Sequence, residues 1–558
     1  MNPDRRPGSS GGLGATAWVA ARFRDYKFTV ERQEFTADVP GLGKQTFVNL
    51  IANAPVRPQQ EVPRSQQTIV IMAHRDNLGR SPGANYDASG TGALLELARD
   101  IGNSSLAHSV ILVSEDGGAY GSLGATEFAR NSGLGDRLVA VINLDAVGGS
   151  GAPRVEFAGE TPRTPAATLV ATAEASIASQ ADRQPERARA AAQLVDLAFP
   201  YTLYAQGPFI ARGTPAVTLT SAGARPPPPA GDTVTNLDAA RLAELGRSAQ
   251  MLLGSLDSAA DVAAGTESYV WAGSRLIHGW TIQFLFLTAL LPFLAAVIDL
   301  FARCRRRHIR LRPALRSLAS RLGVWLWAGG VFAFFSFVGI LPGGEARPIA
   351  PDTLAAGDWP VAALAVLGGL SLLGWLVSHA QIAPRRSVTR PEELGGHLAA
   401  MLVLGIVALV VAAQNPFALL FVLPSLHAWL WLPHASDRGR PAALAVYALG
   451  FAGPLILLGS FAFRFHMGLD ALWYVLALTS VGYVPLALAL GFLAWGAVAA
   501  QAGALAVGRY APYPAAYERP RRGPIRESMR QVIFLSRRLR SERAGRDEPA
   551  EEAEALEE

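Results

Sequence analysis

The sequence predicts an α/β fold with a mostly parallel central sheet flanked by helices, followed by an α-helical transmembrane bundle. Three observations carry that expectation. Up to about residue 265, apolar and polar segments alternate as in a globular domain. Within that part, short β-branched runs are separated by amphipathic helices, the pattern of strands covered on both faces. From residue 276 to 508 the chain becomes a series of long apolar stretches, each near the roughly 20 residues that cross a bilayer. The expected regions are therefore 1–265, 276–508, and a tail over 509–558 that is first basic and then acidic.

The first elements follow in order. "ATAWVAARFRDY" reads as a helix, and "KFTVERQEF" and "TFVNLIAN" read as strands. "TIVIMA" is a buried strand, and "TGALLELARDI" is an amphipathic helix. "SVILVS" and "LVAVINL" are two more buried strands with a helix, "GATEFARN", between them. In open α/β sheets, sites form at the carboxyl edge of the strands. His74, Glu115 and Asp145 each fall at or just past the end of one of these strands.

Bulk composition narrows the function classes. A chain of 558 residues calls for two or three domains. The net charge is +5, and the only lysines are Lys27 and Lys44. The arginines cluster beside the apolar stretches, which marks membrane-flanking charge rather than a nucleic-acid surface. Cys304 is the only cysteine, so neither an internal disulfide nor a cysteine-based zinc cluster can form.

Seven spans are expected, near 277–301, 322–341, 360–380, 397–413, 416–433, 441–461 and 480–506. "GLDALWYVLAL" is read as an interfacial segment or as an eighth span. The arginine-rich loops follow the first, third, fifth and last spans, and the intervening loops carry little positive charge. The positive-inside rule then places the protein in the cell membrane as a multi-pass chain, with an extracytoplasmic N-terminal domain and a cytoplasmic tail. An outer domain needs a signal peptide or a leading span. The opening "MNPDRRPGSSGGLGATAWVAARF" has no apolar core of that length, so a preceding span is expected. "PIRESMRQVIFLSRRLRSE" is read as a basic amphipathic helix on the inner leaflet or as a solvated segment, and "EEAEALEE" as disordered.

Hydrolysing an amide at neutral pH needs an activated water and a clamp for the charge that develops on the carbonyl oxygen. Divalent metal ions supply both, and zinc takes histidine nitrogen and carboxylate oxygen. A separate carboxylate takes the proton. The chain offers such a set in order: His74 and Asp76 in "AHRD", Asp87 in "GANYDASG", Glu115 and Asp116 in "VSEDGGAYGSLGA", and Asp145 in "INLDAVG". Asp76 is placed to orient the imidazole.

These blocks resemble the zinc-dependent exopeptidase family 28, which includes secreted bacterial leucyl aminopeptidases and glutamate carboxypeptidase. The likeness spans roughly residues 13–255. It implies that His74 and Asp145 bind one zinc, that Asp87 bridges, that Asp116 binds a second ion and that Glu115 is the general base. It also implies that "GPFIARGTPAVTLT", with Phe209, shapes the substrate pocket. One block departs. The family's last ligand is a histidine four residues before Asp-Thr, and here that position is Pro228. One zinc site is therefore expected to be complete and the second incomplete.

The whole layout resembles the multi-spanning metallopeptidases of the endoplasmic reticulum and vacuole. It is also similar to the attachment subunit of glycosylphosphatidylinositol transamidase, whose peptidase-like domain is non-catalytic. The leading expectation is a membrane-anchored metallopeptidase, an aminopeptidase acting on peptides at the outer face, with the bilayer as its other partner and no nucleic acid. The alternative is a catalytically impaired peptidase-like scaffold or binding protein. A transporter is disfavoured, because the spans carry few charges and no paired broken helices.

Overall fold

The computed structural model describes residues 4–55, 65–259, 264–382, 388–512 and 533–535. Its sheet is built from β1 (Thr29–Val39), β2 (Gly43–Asn53), β3 (Ser65–His74), β4 (His108–Glu115), β5 (Leu138–Leu144) and β6 (Arg154–Glu156). A two-residue β7 (Thr164–Pro165) lies outside it, and β8 (Ala216–Thr220) completes the seven strands in the order β1-β2-β4-β3-β5-β8-β6. The centre, β4-β3-β5-β8, is parallel. The β1–β2 hairpin, the β2–β4 pair and β6 are antiparallel. The sheet is thus mixed: the expected parallel arrangement holds for its centre, and the flanks run the other way.

β3 shows why the centre is buried on both faces. Successive side chains of a strand point to opposite sides. Ile69, Ile71 and Ala73 pack under α1 (Ser10–Asp25), α2 (Gly90–Ile101), α4 (Ala167–Ala181) and α7 (Ala239–Ser258). Val70 and Met72 pack under α3 (Leu123–Asn131) and α6 (Gln206–Ala211). Between these, α5 (Ala190–Ala198) lies at the junction with the helical region. Phe209, expected to shape a pocket, is instead core, 6.3 Å from Phe128 between ring centroids.

Beyond β9 (Thr266–Glu267), β10 (Tyr269–Ala272) and β11 (Arg275–His278) the chain is helical. It runs through α8 (Gly279–Arg306), α9 (Arg312–Phe337), α10 (Leu354–Gly357), α11 (Val361–Ile382), α12 (Arg390–Gln414) and α13 (Leu419–Leu430). It continues through α14 (Leu432–Asp437), α15 (Arg440–Leu449), α16 (Ala452–Gly459), α17 (Asp470–Ser480) and α18 (Leu486–Ala506). Among the described residues, five helices are long and apolar enough to cross a membrane: α8, α9, α11, α12 and α18. A sixth candidate is the α15–α16 pair, bent by 45°. The expected seven is therefore not reached. Segment 416–433 yields only the 12-residue α13, and "GLDALWYVLAL" the 11-residue α17. The expected tail helix lies outside the described residues except for 533–535, and the final acidic run lies wholly outside them.

α12 is the buried centre of this region and packs against α8, α9, α13 and α18. By contrast, Trp280, Phe284, Ile298 and Phe337 stand exposed on the outside, as lipid-facing side chains do. The sheet and the helices are docked by directed polar contacts. Asn415 Nδ2 donates to Leu197 O (2.7 Å), Tyr483 Oη to Pro200 O (2.7 Å), and Arg464 pairs with Asp196. Tyr201 and Tyr474 share a 2.5 Å hydroxyl contact.

Candidate active site

The carboxyl edge of the parallel centre gathers five of the six residues singled out in the sequence. β3 ends at His74, directly in register with Glu115 at the end of β4. Asp145 follows β5, and Asp87 sits in the turn that leads into α2. His74, Asp76, Asp87, Glu115 and Asp145 are all at most 3% exposed.

Each side chain is held by its backbone surroundings. Asp76 accepts from Gly118 N–H (2.9 Å) and Ala119 N–H (3.0 Å), and its Oδ1 lies 3.3 Å from His74 Nδ1. Thr91 Oγ1 donates to His74 O (2.9 Å), and the edge of Tyr86 meets the imidazole at 4.6 Å. Gly118 has no room for a side chain: a Cβ there would lie 2.3 Å from His74 Cβ. Asp87 Oδ1 accepts from Gly90 N–H (2.9 Å) and Ala146 N–H (3.0 Å). The Asp87 turn is itself pinned by Asp232, which accepts from Asn85 N–H (2.6 Å) and Tyr86 N–H (3.0 Å). Glu115 Oε1 accepts from Ala125 N–H (2.9 Å) in the first turn of α3.

Three atoms in this cluster are buried and have no hydrogen-bond partner: His74 Nε2, Asp87 Oδ2 and Asp145 Oδ1. An unpaired buried polar atom is costly. His74 Nε2 also lies 3.7 Å from Asp145 Oδ2, near the spacing of two donors on one tetrahedral zinc ion, roughly 3.3 Å for bonds of ~2.0 Å. One imidazole nitrogen and two carboxylates are the donor chemistry of a catalytic zinc site with an open position. As the side chains stand, no three His, Cys, Asp or Glu among the described residues converge into a coordination sphere. The set therefore fits one cation by donor type and by its dry atoms, with Asp87 turned by the hydrogen bonds on its other oxygen.

The electrostatics also favour a cation. Burial pushes the Asp87 carboxyl up to about 6, against the opposing charge of His74. Burial, then the charge of Asp87, drives Asp145 well above the carboxylate range. Burial pushes Glu115 up to about 7, with His74 opposing. Burial opposes charging of His74, but Asp76, Asp87 and Asp145 outweigh it and raise the imidazole to about 10. Burial likewise opposes charge on Asp76, yet its bond to His74, the charge of His74 and the Ala119 N–H leave it below the usual value.

Asp116 is the exception. Expected at a second metal, it turns away from the cluster. Its Oδ2 accepts from Val48 N–H (3.0 Å) and pairs with Arg75 Nη2 (3.2 Å). Arg75 spends its remaining donors on Thr16 Oγ1 (3.0 Å), Ser114 O (2.7 Å) and Val48 O. The physical reason is the pleat. His74 and Glu115 are register partners, so the residues after them, Arg75 and Asp116, project to the other side. Pro228 is exposed. Tyr201, Tyr204 and Gln206, considered as replacements for the family's histidine, are bonded to Tyr474, Gly223 O and Thr218 respectively.

Sequence reasoning missed several residues. Asp232 carried a signal, the Asp-Thr pair, but no role. Arg5, 7% exposed, reaches Arg75 O (2.7 Å), Pro82 O (2.6 Å) and Gly83 O (2.9 Å), and its charge acts on Asp76, Asp87 and Asp232. Nothing in the local sequence distinguishes it from a surface arginine. Arg347, from the loop between α9 and α10, pairs with Glu160 at the same rim.

The model of peptidase family M28 matches residues 49–252. No curated protein matches the sequence. Among solved structures, a zinc aminopeptidase from Bacillus subtilis is 13% identical, with 45% of this chain and 90% of that one covered and a TM-score of 0.37. A glutaminyl cyclase from Porphyromonas gingivalis is 22% identical, with 45% and 92% covered and a TM-score of 0.34. The LapA aminopeptidase of Legionella pneumophila is 19% identical, with 46% and 67% covered and a TM-score of 0.36.

Proposed function

We propose that this chain is a membrane-anchored metallopeptidase of the aminopeptidase type that hydrolyses peptides at the outer face with a single zinc. The family match supports a peptidase. The observation that carries the finer reading is the set of dry donors, His74 Nε2, Asp87 Oδ2 and Asp145 Oδ1, beside a buried carboxyl poised near neutrality. Those three residues would hold the metal. Bound there, zinc supplies a Lewis acid for the scissile carbonyl. Glu115 takes the proton from the attacking water and returns it to the leaving amine. A carboxyl near 7 suits both transfers, because acid and base forms coexist at working pH. Asp76 grips Nδ1 of His74 and so aims Nε2 at the metal. Asp116 has no part in the chemistry.

The proposed orientation draws support from which loops touch the sheet. Arg347, Asn415, Arg464 and Tyr483, all on the weakly basic side of the spans, are among the helical-region residues that reach the sheet-containing part of the chain. The arginine-rich ends of α8 and α9 lie at the opposite termini of those helices. Asn103, exposed after α2, tests this. In intact cells, Asn103→Cys should react with an impermeant maleimide, and protection until lysis would reverse the topology.

A second reading, a scaffold that binds peptides without cleaving them, draws on the pairing of Asp116 with Arg75 and on Pro228 at the position of the family's histidine. Metal content separates the two. The purified full chain should hold about one zinc, and chelation should abolish release of an N-terminal residue from a short peptide. A chain without stoichiometric zinc and without chelator-sensitive hydrolysis would leave only the scaffold.

A further inference from the structure

The arginine-rich end of the helical bundle holds a cation that the fold leaves without a counter-charge. Arg321 is the last charged residue before the apolar run 322–337 of α9, and it is only 4% exposed. Its Nη1 donates to Ser317 O (3.2 Å) and Ser317 Oγ (2.5 Å), one turn earlier on the same helix. Ser317 Oγ in turn donates to Ala511 O (2.7 Å), so the chain leaving α18 folds back onto α9. That return sets the ring of Tyr510 beside the guanidinium, whose carbon lies 5.8 Å from the ring centre.

Arg75, Arg347 and Arg464 each meet a carboxylate. Arg321 meets none among the described residues, and its Nε and Nη2 make no hydrogen bond there. Tyr510 Oη is wholly buried without a partner, whereas these two nitrogens are not sealed and keep access to the surface. A charge taken out of water without a partner is costly, so the pair of nitrogens calls for an anion from outside the described chain. Two parallel N–H groups of a guanidinium match two oxygens of a phosphate. The depth fits as well. Arg303 to Arg316 crowd the same end, outside the apolar run, and Arg321 stands at its boundary, where headgroup phosphates lie.

We propose that Arg321 anchors a lipid site, in which Nε and Nη2 take two oxygens of the phosphodiester of an anionic phospholipid. Ser317 and the Tyr510 ring hold the guanidinium in place for it. An anionic headgroup such as phosphatidylglycerol brings a net negative charge, whereas phosphatidylcholine cancels its phosphate with its own cation, so the site selects the former. It rests on the membrane reading above and not on the peptidase chemistry.

The test is native mass spectrometry of the full chain in detergent, titrated with phosphatidylglycerol or phosphatidylcholine. Wild type should bind phosphatidylglycerol at least about tenfold more tightly, as for a hydrogen-bonded charge. Arg321→Gln should bring the two lipids to within about twofold of each other. Arg312→Gln, which removes an exposed arginine of the same helix, should leave the preference intact. If Arg321→Gln fails to fold, Arg321→Lys takes its place; it keeps the charge, loses the fork and should weaken phosphatidylglycerol about threefold or more. A preference that survives Arg321→Gln, or that falls equally with Arg312→Gln, overturns the site. Displacement of the lipid by millimolar inorganic phosphate would assign the site to free phosphate and overturn the lipid as its ligand. A chain recovered from cells without detergent would remove the membrane reading and the site with it.

Discussion

The two sides of the edge formed by β3 and β4 are built from adjacent residues and do opposite things. On one side, His74 and Glu115 face Asp87 and Asp145, and three donor atoms are left dry. On the other, Arg75 and Asp116 face each other, and every nitrogen of the guanidinium is bonded. One side keeps unspent bonding capacity, and the other uses a protein cation to consume it. The difference teaches that a second metal would have to displace an arginine that is itself buried. It also shows how a two-residue motif serves both purposes, because the pleat sends neighbours to opposite faces.

The comparison breaks most sharply at Glu115. Glu115→Gln should lower kcat by roughly 10²- to 10⁴-fold with zinc content unchanged; a rate equal to wild type would remove it as the base. On the other side, Arg75→Met should cost about 3–5 kcal/mol in denaturant unfolding, since it strands a buried carboxylate. Adding Asp116→Asn should recover much of that loss. If Asp116→Asn instead depletes zinc, the assignment of Asp116 to the structural side is wrong.

Smaller effects sharpen the same contrast. Asp76→Asn should weaken zinc binding about 10- to 100-fold through His74, measured by competition with a chelating dye. Unchanged affinity would mean that the bond to Nδ1 does not orient the ring. The pH dependence has a definite sign. In the metal-free protein the imidazole is raised from 6.5 to about 10, so its charge contributes stability below pH 6.5 that is lost as pH climbs towards 10. Zinc requires the neutral ring, so its affinity should rise through that window with proton release, and a flat profile between pH 6.5 and 8.5 would exclude His74 as ligand. Glu115 acts through the opposite limb. As a base it works only when ionised, so kcat/KM should level off above about pH 7, and Glu115→Gln should erase that limb.

The strand ends that gather the candidate cluster are legible in the sequence. His74, Glu115 and Asp145 were found because strands end there and sheets bind ligands at that edge. Asp87 and Asp76 came with their motifs. Asp116 pairs with Arg75 rather than facing the cluster, and a motif shows which carboxylates are near in sequence, not to which side of the pleat each points. Arg75 was invisible as its partner, although it stands between two residues that were noticed. Among the described residues, fewer helices than the expected seven are long and apolar enough to cross a membrane, for a related reason. Hydropathy sees apolar length, but the segment around α13 is broken by Pro416 and the turn at Trp431, and the α15–α16 pair by a bend.

What the sequence determined by itself is chemical identity and order: which strands are buried, which side chains end them, and where the chain becomes apolar enough for a bilayer. Those follow from periodicity and composition, which are local. Partnership, by contrast, is set by the fold. Arg75 with Asp116, Asp232 with Asn85 in the Asp87 turn, and Arg347 with Glu160 join residues 41, 147 and 187 positions apart. Such pairs form because burial leaves each charge or donor no water to bond, so it takes whichever partner the fold delivers.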